Sequence, residues 1–129
     1  MTEGIEGVTT ASLALALDAA SLRQQAIAAN IANADVEGYQ PMTVDFESQL
    51  DAAQRELGDG RGVSMESLAG VAPRLVPDMS TDATGLPAKV SLDIEMARLA
   101  QNGVQYQALA SALGKHYALM ALAVNDGKK

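Results

Sequence analysis

The C-terminal third carries the pattern that most restricts how this chain folds. Leu92, Met96, Leu99, Gly103, Tyr106, Ala110, Leu113, Tyr117, Met120 and Val124 recur at alternating spacings of four and three. The run lasts more than four heptads, and no charged residue falls on it. Apolar residues repeating every 3.5 positions or so line one side of an α-helix, so the run predicts a coiled-coil seam. Leu109, Ala112, Leu119, Leu122 and Ala123 widen the stripe beyond what a single partner helix covers. Ser91 reads as an N-cap, Asp93 and Glu95 suit the positive end of the helix dipole, and Asn125-Asp126-Gly127 read as stop signals. The predicted helix spans 91–124 and is roughly 50 Å long at about 1.5 Å per residue.

A second helix is predicted over 10–33, with Thr9, Thr10 and Ser12 as candidate N-caps and an interior rich in Ala and Leu. Leu13, Leu17, Ala20, Gln24, Ile27 and Ile31 follow the same spacing, and the one polar member, Gln24, interrupts the seam. Leu15, Leu22 and Ala29 form another stripe. A helix apolar on two faces requires cover on two sides.

Between the helices, 34–89 is poorer in signals. Phe46, Leu50, Ala53 and Leu57 outline one short amphipathic helix within 44–57. Gly58, Gly60 and Gly62, then Pro73, Pro77, Gly85 and Pro87, punctuate the remainder. No strand is evident, and much of 58–89 is expected to be mobile in the isolated chain. The whole of 1–129 therefore reads as a single all-α domain. Two long terminal helices pack as a coiled-coil-like bundle, with a loop-rich, partly flexible middle.

Composition narrows the function. Hydrophobic residues make up 48% of the chain but aromatics only 3%, which suits close helix packing better than a bulky core. Net charge is −7, with no basic stripe, which argues against nucleic acid or an anionic membrane as partner. The absence of cysteine removes disulfide frameworks and cysteine-based zinc sites. The first basic residue is Arg23, so no charged n-region precedes an apolar core as in a cleaved signal peptide. Uninterrupted apolar runs fall short of the roughly 18 residues that span a bilayer, and the chain is expected not to be membrane-spanning.

Chemistry finds little to hold. The lone His116 sits one position off the seam without metal-ligand spacing and reads as a partly exposed helix residue. Gly58-Asp-Gly-Arg-Gly62 lacks the Lys-Ser or Lys-Thr pair and the strand-to-helix setting of a phosphate loop. Asp45, Glu47, Asp51, Glu56, Asp78 and Asp82 are scattered and read as solvated surface. No catalytic residue, cofactor or metal is assigned.

Asn30 and Asn33 share a helix face, as a helix-end cap or as hydrogen-bonding groups between subunits. Gly38 suits a positive-φ turn, with Tyr39 packed beneath it and its hydroxyl left to bond. Together with Leu17-Asp-Ala-Ala-Ser-Leu-Arg-Gln-Gln25, the run Asn30-Ile-Ala-Asn-Ala-Asp35 and the pair Gly38-Tyr39 resemble the N-terminal signature of bacterial flagellar axial proteins. Val90-Ser-Leu-Asp-Ile-Glu-Met-Ala-Arg-Leu99, Val104-Gln-Tyr-Gln-Ala-Leu109 and Leu113-Gly-Lys-His-Tyr-Ala-Leu119 resemble the branch that forms the proximal rod beside the membrane (MS) ring. Val36-Glu37 and Gln40-Pro41-Met42 depart from the Thr-Pro and basic residues common at those places in the family.

The resemblance implies a structural subunit of the basal-body rod, located in the periplasm and exported unfolded by the flagellar type III route without a cleaved signal peptide. Its partners would be other copies of itself, other rod proteins, and membrane-ring and export-gate proteins. It would connect the ring to the rod and pass torque. The interface residues expected on this reading are Leu13, Leu17, Ala20, Ile27 and Ile31 on the first helix. On the last helix they are Leu92, Met96, Leu99, Tyr106, Leu113, Tyr117, Met120 and Val124. Asn30, Asn33, Asp35, Gly38 and Tyr39 carry the family motif. The alternatives are another rod subunit of the same family, or a small acidic helical chaperone of a type III secretion system.

Overall fold

The computed structural model describes residues 2–56 and 62–128 of the chain. Leu57, and all but the last residue of the glycine run at 58–62, lie outside them. The first helix, α1, runs Thr2–Ala32, eight residues further toward the N-terminus than expected. Thr9, read as a cap, is an interior residue instead: its hydroxyl donates to the carbonyl of Ile5 one turn back, at 2.9 Å. The last helix spans Leu92–Asp126, close to its expected bounds. Ser91 has the extended backbone of an N-cap, although its side chain makes no capping bond. The two long helices pack against one another as expected.

The middle holds more regular structure than the sequence signals suggest. In chain order it contains β1 (Met42–Asp45), α2 (Glu47–Glu56), α3 (Met65–Ala69) and β2 (Arg74–Pro77), which makes the last helix α4. The strands pair antiparallel in the register Met42↔Pro77, Thr43↔Val76, Val44↔Leu75 and Asp45↔Arg74. This two-stranded ribbon corrects the expectation of a middle without strands. Four-residue strands are too short to show an alternation, and Pro77 is tolerated because a ribbon has only edges. The ribbon also takes Val44 from the predicted helix, which begins at Glu47 instead. Phe46 then stands at the helix start, its carbonyl accepting from Leu50 N–H at 3.0 Å. The predicted stripe survives the shift: Phe46 and Ala53 are buried, and Leu50 packs against them.

The core lies between one face of α1 and this middle segment. Ala19, Ala26, Val44, Phe46, Ala53 and Val71 form it, with Leu15, Ala16, Leu22, Met42 and Leu50 packed alongside. Leu15 and Leu22 belong to the second predicted stripe of α1, so the middle segment provides the cover that stripe demands. Ala20 and Ile27, on the other predicted stripe, are buried too. Arg23 pairs with Glu47 and ties the outside of α1 to α2.

The stretch expected to be loose is held by hydrogen bonds. Gln49 donates from Nε2 to Ala72 O at 2.9 Å and accepts from Ala72 N–H at Oε1 at 3.0 Å. Ser64 and Ser67 form a reciprocal capping box at α3. Asp45 accepts from the Ser48 hydroxyl, from Gln49 and from Arg74, which holds its carboxyl below the ordinary range. Beyond β2, Ala88 N–H donates to Ser80 O at 2.9 Å, and Thr81 pairs with Pro87 across a tight loop. Asp82 organises that loop, accepting at one carboxylate oxygen from the Thr84 hydroxyl and from the Thr84 and Leu86 amides, while Gly85 takes φ +82°.

The Thr84 hydroxyl and amide hold the Asp82 carboxyl below its ordinary pKa of 3.8. A depressed folded-state pKa means that these bonds are intact above the ordinary value and are lost as pH falls through the lower one. Acidification below that value is therefore expected to shift the Thr84 and Leu86 amide resonances toward their random-coil positions. Asp82→Asn should weaken the loop at neutral pH and remove its acid response; unchanged Thr84 and Leu86 shifts across the acid range would contradict the role given to Asp82.

Candidate assembly surface

α4 is inverted relative to an ordinary helix of a compact domain. Its buried residues are Glu95 and Asn102, each 4% exposed, and no apolar residue of α4 is buried. Leu92, Ile94, Met96, Val104, Tyr117, Leu119, Leu122 and Val124 are each more than half exposed. A sound monomer reverses this arrangement, keeping polar groups in water and apolar ones inside. A long patch of this kind marks a surface meant to be covered.

The inward face of α4 overlaps the predicted seam only in part. Glu95, Asn102, Leu109 and His116 recur every seven residues and are buried or half-buried; Leu99, Leu113 and Met120, also seven or fourteen apart, are half-buried beside them. Four of the expected seam residues, Leu99, Gly103, Leu113 and Met120, therefore turn toward α1. Leu92, Met96, Tyr117 and Val124 turn away from it, and Tyr106 lies at the edge, 45% exposed. His116 is half-buried on this inner face. On α1, Leu13, Leu17 and Ile31 are half-buried while Ala20 and Ile27 are buried.

The hydrogen bonds between α4 and α1 come from a few buried polar groups. Asn102 donates from Nδ2 to the carbonyl of Ala20 at 2.8 Å and to Gln24 Oε1 at 3.0 Å. Asn30 Nδ2 lies 3.5 Å from Glu95 Oε2, whose other oxygen accepts from Arg98 at 2.8 Å. An open polar groove of about 510 Å³ runs between the helices and β1, lined by Arg23, Asn30, Glu47, Glu95, Arg98 and Asn102 among others.

The motif residues converge on Asn30, which is 2% exposed. Its side-chain oxygen accepts from Met42 N–H at 2.9 Å and from the Tyr39 hydroxyl at 3.0 Å. Its Nδ2 donates to Met42 O at 2.9 Å. The amide thus serves both backbone groups of Met42 as a neighbouring strand would, and fastens β1 to the end of α1. Asn33 donates to Ala29 O at 2.8 Å and closes the last turn of the helix, so of the paired asparagines one caps and the other joins elements. Gly38 takes φ +76°, the left-handed backbone expected there, and swings Tyr39 back under the turn. Asp35 is exposed. Sequence reasoning missed Met42, Glu95 and Asn102. Only the interruption of the α1 seam at Gln24 hinted at a polar partner on the other helix.

Comparison with known proteins places this geometry. The family model described as "Flagella basal body rod protein" matches residues 12–40, the stretch from the first third of α1 through Gln40. The "Flagellar basal body rod protein FlgB" of Escherichia coli (strain K12) is 37% identical over 109 residues, covering 76% of this chain and 79% of the relative. The protein of that name from Bacillus subtilis (strain 168) is 30% identical over 125 residues, covering 93% of this chain and 95% of the relative. The chain belongs to the flagellar basal body rod protein family. The Salmonella typhimurium relative, also named FlgB, is 34% identical over 110 residues and covers similar shares of both chains. The matched region of the rod-protein family thus contains Asn30, Asn33, Asp35, Gly38 and Tyr39 and stops short of α4, most of which the Bacillus subtilis relative, covering 93% of the chain, spans.

Removing the Asn30 amide leaves Met42 N–H, Met42 O and the Tyr39 hydroxyl without their partner. Tyr39→Phe is expected to cost about 1 kcal/mol and Asn30→Ala about 2–4 kcal/mol in urea unfolding. Because the two side chains share one bond, the double variant should fall short of the sum of the two single effects. Full additivity would show that they act independently.

Proposed function

We propose that this chain is a structural subunit of the proximal part of the flagellar rod, polymerising through its terminal helices to connect the membrane ring to the rod and to transmit torque. The observation that carries the reading is the exposed apolar stripe of α4 beside a polar inner face. Each Leu of such a stripe gains about 1.5–3 kcal/mol when a neighbour buries it. Dispersed along some 50 Å of helix, that term is ample for stable lateral packing. The contact is heterologous, since the α4 stripe and the surfaces of α1 are different patches, and heterologous contacts propagate into a helical tube. The named relatives are flagellar basal body rod proteins, and the assignment of other copies, other rod proteins and the membrane-ring and export-gate proteins as partners follows that kinship.

The reading assigns no catalysis to the chain and places it in the flagellar basal body, as its relatives' names do for them. By length and composition alone, Gly4–Ala32 is apolar enough to cross a membrane. Its second half is fastened to protein through Arg23, Asn30 and the Ala face under Phe46, which favours a subunit interface over a lipid one. The one-domain organisation over 1–129 is part of the same proposal: the core joins α1 to the middle, and the inner face of α4 closes on α1.

The test separates folding from assembly. Tyr117→Asp and Leu122→Asp lie on the outer face and should leave the helix content of the purified chain unchanged while abolishing swimming and the recovery of intact rods. Leu113→Asp and Met120→Asp, half-buried against α1, should block assembly as well, with some loss of helix. Normal motility in the outer-face variants would overturn the assembly role of α4. A discrete, fully protected dimer in solution would favour the secretion chaperone instead.

A further inference from the structure

We infer that Gln24 and Asn102 form a register pin, a polar pair that sets which heptad of α4 lies against which heptad of α1. Beyond Glu95, which meets Asn30 at 3.5 Å, the apolar positions on the inner face of α4 are nearly indifferent to a slip of one heptad. Leu109 stands seven residues beyond Asn102, and Leu99, Leu113 and Met120 repeat at the same period. Apolar packing alone would accept several alignments. The polar pair does not. Asn102 reaches Ala20 O and Gln24 Oε1, 82 and 78 residues away in the chain. The heptad equivalents of Gln24 are Leu17 and Ile31, and those of Ala20 are Leu13 and Ile27. Every residue of α1 carries a backbone carbonyl, so the register-specific contact is the one to Gln24. A slip sets the buried Asn102 side chain, whose Oδ1 already lacks a partner, beside Leu17 or Ile31 and takes away its side-chain acceptor, which is disfavoured.

This accounts for the one polar residue on the α1 seam, which the assembly reading leaves unexplained. An amide in a helix seam lowers stability relative to Leu and in return admits one alignment; here Asn102 is buried and Gln24 meets it from the exposed side of α1. The pairing lies within one copy and holds whether or not copies polymerise. Its consequence is external: the alignment fixes how far the outer stripe of α4 stands along α1 and the ribbon, and so the level at which a neighbour meets it. Gln24 and Asn102 are positioning residues.

The chain has no cysteine, so engineered pairs report cleanly. Ser21 and Gly103 line one cleft between the helices, and a side chain at Gly103 meets open space. In the purified full chain, Ser21→Cys is combined in turn with Gly103→Cys, Met96→Cys or Ala110→Cys, the latter two one heptad to either side. Each pair is treated with a short bismaleimide, and helix content is followed by circular dichroism. With Gln24 and Asn102 intact, cross-linking should be confined to the Gly103 pair. With Gln24→Leu and Asn102→Leu together, helix content should be kept or raised while the product spreads to the Met96 or Ala110 pair. Product that stays confined to the Gly103 pair in the double variant overturns the pin. So does a parent chain that fails to react there, and so does collapse of helix in the double variant, because groups that only choose an alignment are dispensable for forming the helices. Loss of motility without any change in this pattern would bear on the assembly role alone.

Discussion

The side-chain amide of Asn30 is the contact on which the rest of the molecule depends. It closes on Met42 as a strand would, taking the backbone N–H and giving to the carbonyl, and it does so while buried. Without it, β1 would present both backbone groups of Met42 to a low-dielectric interior with no partner. With it, the chain leaving α1 is turned back along its own helix, the ribbon forms, and Phe46 is delivered to the alanine face of α1. Gln49 repeats the device at Ala72. A protein with two four-residue strands cannot satisfy its edges by pairing alone, so carboxamide side chains stand in for the strands that are missing.

That economy extends to α4. Within one copy the fully buried contacts of the helix are an amide and a carboxylate; Leu99, Leu109, Leu113 and Met120 are half-buried beside them, while Leu92, Met96, Tyr117, Leu119 and Leu122 are left to face outward. Asn30 participates here too, standing 3.5 Å from Glu95. One buried side chain therefore touches the end of α1, the first strand and the start of α4. Polar contacts are directional and fix position, whereas apolar contacts are strong and tolerant of sliding. Assigning the first kind to the inside and the second to the outside gives a rod subunit with a defined shape and an adhesive surface.

The long helices were legible because thirty or so residues of consistent periodicity outweigh any local ambiguity. The demand that α1 be covered on two sides was also legible, since Leu15 and Leu22 fall on one stripe and Ala20 and Ile27 on another. The phase of the α4 contact was not. α4 is apolar over most of its circumference, and a hydrophobic pattern selects the greasiest stripe, whereas the face turned to its own chain carries Glu95 and Asn102. The ribbon was hidden for a different reason: Met42–Asp45 and Arg74–Pro77 are each too short to show a period, and their pairing spans the whole middle segment. The motif around Asn30 was visible, but its meaning required Met42, which no spacing rule connects to it.

The division between polar inside and apolar outside also bears on when this chain becomes rigid. The buried apolar cluster joins α1 to the middle segment, so that half of the molecule has the ordinary driving force for folding. α4 adds no buried apolar side chain of its own, and net hydrogen bonds contribute only about 1 kcal/mol each. Its docking onto α1 is accordingly the weakest link in an isolated copy. A neighbour that covers the outer stripe binds the docked form and not the undocked one, and so stabilises it by mass action. Completion of the fold and growth of the polymer then become one equilibrium: the subunit is adaptable while alone and stiff once its leucines are covered.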